Sequence, residues 1–422
     1  MSHTLIRGGR IIDPHNDIDT TGDIEIRDGL IQKVGDIGDV EAAHSIDATG
    51  KVVIPGIIDL CARLREPGQE HKAHIKSESI AAARSGITTL CCPPDTDPVI
   101  DEPAVVDLIN HKASRAAASH VVPIGALTEG LRGELLAEMW SLQKAGCVGV
   151  SNARHPVENT TVLRRAFSYA ANCGFTVHIC PDDHWLSEGG CAHDGRIATR
   201  LGLQGIPVAA ETTALARVIE LISDTGVRAH IGRVSSAQSI RQIERAKQWG
   251  LPVTVDVAAH QLHLNENDIS TFNPNCHVIP PLRTQRDMEA LRKAVAEGVV
   301  DAICSDHQPH NIDAKQAPFA STEAGISALE TLLPLTLKLV EEGLLDLSTA
   351  VRRLTATPAD ILGLPCGKLD AGSPADITIL DLSQEWTFEP DNMHSRGQNT
   401  PFGGWAFTGK AITTLVSGKI ID

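Results

Sequence analysis

Aromatic side chains are scarce in this 422-residue chain, at 3%, so a core has to be built mainly from Ala, Val, Ile and Leu. Basic residues are the minority charge. Lys and Arg number 37 against 53 Asp and Glu, a formal net charge of −16. That balance speaks against a nucleic-acid-binding face, which needs clustered cations to displace counterions from phosphates. It also makes any arginine-rich cleft a local exception. No apolar run approaches the ~18 residues of a membrane span, and no secretory signal opens the chain. The ten cysteines contain no Cys-x-x-Cys pair, which argues against a structural zinc site. Several sit in apolar runs such as Leu90-Cys91-Cys92 and Ala302-Ile303-Cys304. They read as free, buried thiols of a protein in the reducing cytoplasm. No phosphate-binding loop occurs: Gly8-Gly9 and Gly189-Gly190 are turns, and Ser235-Ser236 has no nucleophile context.

What is present is a soluble, globular composition, 42% hydrophobic and 21% charged. The first fifty residues are β-rich and punctuated by Gly8-Gly9, Asp13-Pro14, Asp28-Gly29 and Thr49-Gly50. The last fifty or so look alike, with a strand over 376–381 and a hairpin over 411–421 turning at Ser417-Gly418. Between them apolar strands alternate with amphipathic helices. Strands are predicted at 56–60, 87–91, 121–125, 146–150, 176–180, 228–234, 253–257 and 302–305. Helices are predicted at 77–85, 133–145, 162–173, 212–225, 237–248 and 285–297. Eight strand–helix units predict an α/β fold of the (β/α)8 barrel type over 54–365; a doubly wound open sheet is the rival. The flanking segments, 1–53 and 366–422, are expected to pair into one small discontinuous β-sandwich domain.

Working residues of such barrels stand at the C-terminal ends of the strands. Cys61, Arg63, Asp95, Asn152, Ile179, Arg233, His260 and Asp306 all fall there. Residues 55–68 read Pro-Gly-Ile-Ile-Asp-Leu-Cys-Ala-Arg-Leu-Arg-Glu-Pro-Gly. Further on come Cys92-Pro93-Pro94-Asp95-Thr96-Asp97-Pro98, Pro280-Pro281-Leu282-Arg283, Ser305-Asp306-His307-Gln308-Pro309-His310 and Asn399-Thr400-Pro401-Phe402. These strings resemble the dihydroorotases of the cyclic amidohydrolase superfamily, and the resemblance covers nearly the whole chain.

The resemblance implies a barrel whose mouth holds metal, because ring-amide hydrolysis uses a metal-bound hydroxide. It also implies which positions supply the ligands, and here they are altered. The family's first strand gives two histidines where this chain has Cys61 and Arg63. The next ligand position falls near Asn152, with Ala153 and Arg154 beside it. The fifth-strand histidine is Ile179, and the following one is Arg233. Only Asp306, a ligand and general base in the family, is kept. Arginine stays protonated and has no lone pair to offer, and two cations oppose a divalent ion. The chain is therefore expected to bind no metal cofactor and to be a catalytically inactive homologue. Arg63 and Arg233 are expected to pair with Asp306, since buried unpaired charge is costly.

Other positions are mixed. Arg65 matches a family arginine that grips the substrate carboxylate, and His310 a family histidine near the substrate, whereas Asp95 replaces an asparagine and would repel an anion. His178 stands one residue before Ile179, an offset expected to turn it to the opposite face; His230 reads as structural. Cys61 beside Arg63 reads either as a reactive thiolate or as a small residue filling the ligand void.

By resemblance, the chain looks like a degenerate dihydroorotase that partners the catalytic chain of aspartate transcarbamoylase in pyrimidine biosynthesis, forming a hetero-oligomer. Two other readings stay open. One is an active dihydroorotase- or hydantoinase-type hydrolase rebuilt around one metal with Cys61, His178, His260 and Asp306. The other is a module that binds an anionic pyrimidine intermediate through Arg65.

Overall fold

The computed structural model describes residues 3–38, 40, 42–116 and 118–421. In chain order the strands are β1 (His3–Asp13), β2 (Ile18–Arg27), β3 (Leu30–Gly35), β4 (His44–Asp47), β5 (Val52–Pro55), β6 (Ile57–Asp59), β7 (Ile87–Cys92), β8 (His120–Pro123), β9 (Gly125–Ala126), β10 (Gly149–Ser151) and β11 (Thr176–Ile179). They continue with a short pair, β12 (Ala192–His193) and β13 (Gly205–Ile206), then β14 (Arg228–Ile231), β15 (Val253–Ala258), β16 (Ala302–Cys304), β17 (Ile377–Thr387), β18 (Ala406–Val416) and β19 (Lys419–Ile421).

The middle of the chain is a (β/α)8 barrel. β6, β7 and β8 form one parallel run, and β9, β10, β11, β14, β15 and β16 another. The chain joins them by passing from β8 through Ile124 into β9. Beyond β6 and β16 the ring closes through a parallel bridge between Ala62 and His307. There Arg63 N donates to His307 O at 3.0 Å and His307 N to Cys61 O at 3.1 Å. That closure excludes the open doubly wound sheet. The strands are covered on both faces, so they are near-continuous apolar runs, and every residue of β7 is buried.

Side chains at the helix starts set where the chain turns. Asn159 caps Thr160–Asn172 by accepting from the backbone of Thr161 and Val162. Ser236 caps Ala237–Gln248, and Thr284 forms a capping box with Asp287 at the head of Gln285–Ala296.

Strands from both termini pair in a single sheet ordered β19-β18-β17-β5-β1-β2-β3, with β4 beside β1. Its own apolar core includes Ile11, Ile24, Val53, Ile377 and Leu415. The sheet meets the barrel at Gly86, whose carbonyl accepts from Ile57 N at 3.1 Å and from the Thr378 hydroxyl at 2.7 Å. Gly86 has φ +87°, and a β-carbon there would lie 2.7 Å from Thr378 Cγ2, so only glycine fits.

The expected strand over 146–150 begins later, because Gly146 takes a left-handed conformation that ends the helix Met139–Ala145. Helices Pro103–Ala116 and Leu329–Glu341 lie in stretches with no expected element.

Candidate functional site

The strand ends bring the altered ligand positions together. Asp306 follows β16 with φ 48° and is 2% exposed. Arg63 Nη1 donates to its Oδ1 at 3.4 Å, and Arg233 Nε lies 3.7 Å from the same oxygen. Cys61 Sγ is 3.6 Å from that oxygen, and Gln308 Nε2 donates to Oδ2 at 3.1 Å. Arg63 also donates through Nε to Asp95 Oδ2 at 2.7 Å. One guanidinium therefore spans two carboxylates, and Asp95 serves Arg63 rather than facing an open cleft. Burial pushes the Asp95 carboxyl up, but the charge and hydrogen bond of Arg63, with help from Arg65, outweigh it and hold it low.

Cys61 is buried, and burial pushes its thiol up, against the pull of Arg233 and Arg63. Desolvation outweighs two nearby cations, which favours a small packing group over a reactive thiolate.

Asn152 does not offer its side chain to the mouth. Its Nδ2 donates to Leu131 O at 3.1 Å and His155 O at 2.7 Å, and its Oδ1 accepts from the Thr128 hydroxyl at 2.7 Å. Every donor and one acceptor site are used in holding the 128–133 loop.

The neighbour Arg154 is buried close enough to the cluster to feel the charges of Arg63 and Asp306. It donates to Ile279 O at 2.9 Å, and burial, with the repulsion of Arg63 among the smaller causes, lowers its pKa.

Ile179 is half-buried at the end of β11 and carries no donor atom. His178 corrects an expectation. It lies inside the barrel, edge-on to His230 with ring centroids 5.3 Å apart, and lines the same small cavity as Cys61, Arg63 and Arg233. Ile179 lines that cavity as well, so at the end of β11 both residues reach it and alternation does not decide between them; His178 stands in register with His230. His178 Nε2 has no hydrogen-bond partner, and burial together with His230 lowers its pKa to about 3. His230 is fully engaged, with Nδ1 2.9 Å from Thr254 Oγ1 and Nε2 2.8 Å from Asp256 Oδ2. Asp256 also accepts from Arg233 N at 2.5 Å. His260 is 2% exposed with Nδ1 unpartnered, and burial brings its pKa to about 4.

Arg65, with φ 62°, donates to Pro309 O at 3.0 Å and to Gln69 Oε1 at 3.2 Å, and its Nη2 sits 3.1 Å from His310 Nε2. Burial and the repulsion of Arg65 lower the His310 pKa to about 2, so this ring is neutral. Its Nε2 also lies 3.0 Å from Ala324 O, and its Nδ1 lies 3.3 Å from Glu323 Oε2. Both residues are committed to tying the loop after β6 to the loop after β16.

These residues do not fit a catalytic metal. Two positions are guanidinium, one is an amide spent on a loop, one is aliphatic and one is a thiol held protonated. Among the described residues no three His, Cys, Asp or Glu side chains converge as a metal-holding group. The cavity that touches Cys61, Arg63, Ile179 and Arg233 holds about 20 Å3, roughly the room of one water. Among the described residues no helix is long and apolar enough to cross a membrane.

A closed barrel with its working positions at the strand ends and a sheet built from both termini defines an amidohydrolase-type protein. Solved structures agree in fold: the L-hydantoinase (dihydropyrimidinase) of Arthrobacter aurescens superposes with a TM-score of 0.90 at 25% identity, covering 100% of this chain and 96% of that one. A dihydropyrimidinase from Brevibacillus agri NCHU1002 gives 0.87 at 21% identity, covering 99% and 94%. The "Dihydro-orotase-like" family model matches residues 50–239, and the "Amidohydrolase family" model matches 205–422.

The chain belongs to the dihydroorotase-like amidohydrolase family. A "Dihydroorotase-like protein" of Pseudomonas aeruginosa is 48% identical over 98% of both chains. One of the same name from Pseudomonas putida is 46% identical, over the same shares. A "Dihydroorotase" of Syntrophotalea carbinolica is 43% identical, covering 99% of this chain and 98% of that one.

Proposed function

We propose that this chain is a non-catalytic dihydroorotase-like protein, a structural and assembly subunit of aspartate transcarbamoylase in pyrimidine biosynthesis. The observation that carries the first half is the convergence of Arg63 and Arg233 on Asp306, where an active family member needs lone-pair donors around a metal. Removing donors and adding permanent cations opposes a divalent ion by both chemistry and charge. The second half rests on resemblance: the relatives at 48% and 46% identity bear the name dihydroorotase-like protein, and a fold kept without its metal ligands is kept for another use.

Size-exclusion chromatography with the catalytic chain of the cognate aspartate transcarbamoylase tests the partner. Co-elution as a stable hetero-oligomer supports the reading, and separate elution at micromolar concentration removes it. An active ring-opening hydrolase is the competing reading, favoured by the inward turn of His178 and by relatives named dihydroorotase. Turnover of dihydroorotate that tracks bound zinc would establish it instead.

A further inference from the structure

A groove of about 810 Å3 opens between the helices Ile75–Arg84 and Pro103–Ala116, and it shares no residue with the mouth cluster. Its floor is apolar, including Ile80 and Leu108, the latter 38% exposed. Its rim is cationic. Lys112 is held by Glu66 at 2.6 Å, but Lys76 and Arg115 are exposed and make no ion pair among the described residues. Among the described residues Glu66 is the one carboxylate lining it, and Glu70 also reaches Lys112, at 3.9 Å. In a chain of net charge −16, that is a local reversal of sign. His394 lines it and also a second cavity of about 230 Å3, whose walls carry Arg84 and Lys410 together with Glu330 and Glu389.

Free cations beside an apolar floor select a ligand with both apolar and negative groups. A trough between two helices is a common seat for an amphipathic helix. We propose that this trough docks an acidic amphipathic segment of a partner protein, its apolar residues on the Ile80–Leu108 floor and its carboxylates against Lys76 and Arg115. The proposal rests on the reading of the chain as a binding subunit and assigns the surface that reading lacks.

The test titrates the full chain into a fluorescein-labelled helical peptide bearing leucine on one face and glutamate on the other, read by anisotropy. Saturable binding is expected, weakening with salt and falling at least about tenfold in the Lys76→Glu/Arg115→Glu double variant. Arg164→Glu, on another helix, should leave it unchanged. Both reversals are at exposed positions, so folding is not at stake. No saturable binding to the unaltered chain, equal binding by the double variant, or equal binding of a lysine-for-glutamate peptide overturns the proposal. So does binding of anilinonaphthalene sulfonate in place of the peptide, which makes the trough a small-molecule site. Peptide binding without transcarbamoylase co-elution removes the proposed partner and leaves the trough; co-elution without peptide binding does the reverse.

Discussion

Arg63 Nη1 lies 3.4 Å from Asp306 Oδ1, where the first strand of the barrel meets the last. The contact joins the two ends of the ring through an ion pair at the point where amidohydrolases hold metal. Arg63 is 7% exposed and Asp306 2%, so neither charge can be relieved by water, and each depends on the other.

Removing one member of that ion cluster should cost more than removing all of it. Asp306→Ala takes the acceptor from Arg233 and one of two acceptors from Arg63, and a loss of about 3 kcal/mol is expected. The quadruple variant Arg63→Met/Asp95→Asn/Arg233→Met/Asp306→Leu should lose much less, because no member of the cluster is left stranded. Urea midpoints of the two variants check this. Equal destabilisation would show that packing, not charge, decides.

Reinstating the first-strand histidines should not rebuild the site. Cys61→His with Arg63→His leaves Arg233 3.7 Å from Asp306 and Asn152 tied to its loop. Zinc content is expected to stay substoichiometric until Arg233 is also replaced by histidine. Elemental analysis of the double and triple variants reads this directly.

Asn152 is expected to be intolerant of the lysine or aspartate that the family places nearby. Either change breaks its bonds to Leu131, His155 and Thr128, leaving buried carbonyls without donors at a cost of about 1–3 kcal/mol each in comparable cases. A thermal melt of Asn152→Lys should show a clear loss of Tm. An unchanged melt would mean that the 128–133 loop is held by other contacts.

Acid should weaken the fold through histidines buried in the neutral form. Burial lowers the His260 pKa from 6.5 to about 4. A histidine with a depressed folded pKa contributes stability that is complete above its unfolded pKa and is lost as pH falls towards its folded one, because the unfolded chain takes up the proton first. Between pH 7 and pH 5, His260 alone should account for a loss on the order of 2 kcal/mol. In His260→Gln the fall in stability over that interval should be smaller by that amount. An identical pH profile would show that His260 is already charged in the fold.

The barrel was legible in the sequence because its parallel strands are short apolar runs separated by amphipathic helices. The helix Ala237–Gln248 lies where it was expected to the residue, with Ser236 as its cap signal. Leu329–Glu341 was not legible, since its leucines recur without a polar face and Pro334 interrupts it. Pro103–Ala116 has only three buried residues, Val105, Val106 and Ile109, too thin a stripe to stand out. In the site, residue chemistry could be read but direction could not. The commitment of Asn152 to a loop and the inward turn of His178 depend on register and on neighbours far along the chain. Arg154 was visible beside Asn152, but nothing in the sequence says that the chain, with Ala153 at φ 49°, carries it towards Ile279 and the mouth.

Zinc content of the purified chain, grown and dialysed in zinc and read by elemental analysis, bears most directly on the ion-pair cluster standing in place of metals. Substoichiometric zinc is expected, with none retained after brief exposure to a chelator. One or two zinc ions held per chain would contradict it, because Arg63 and Arg233 could not then be facing Asp306.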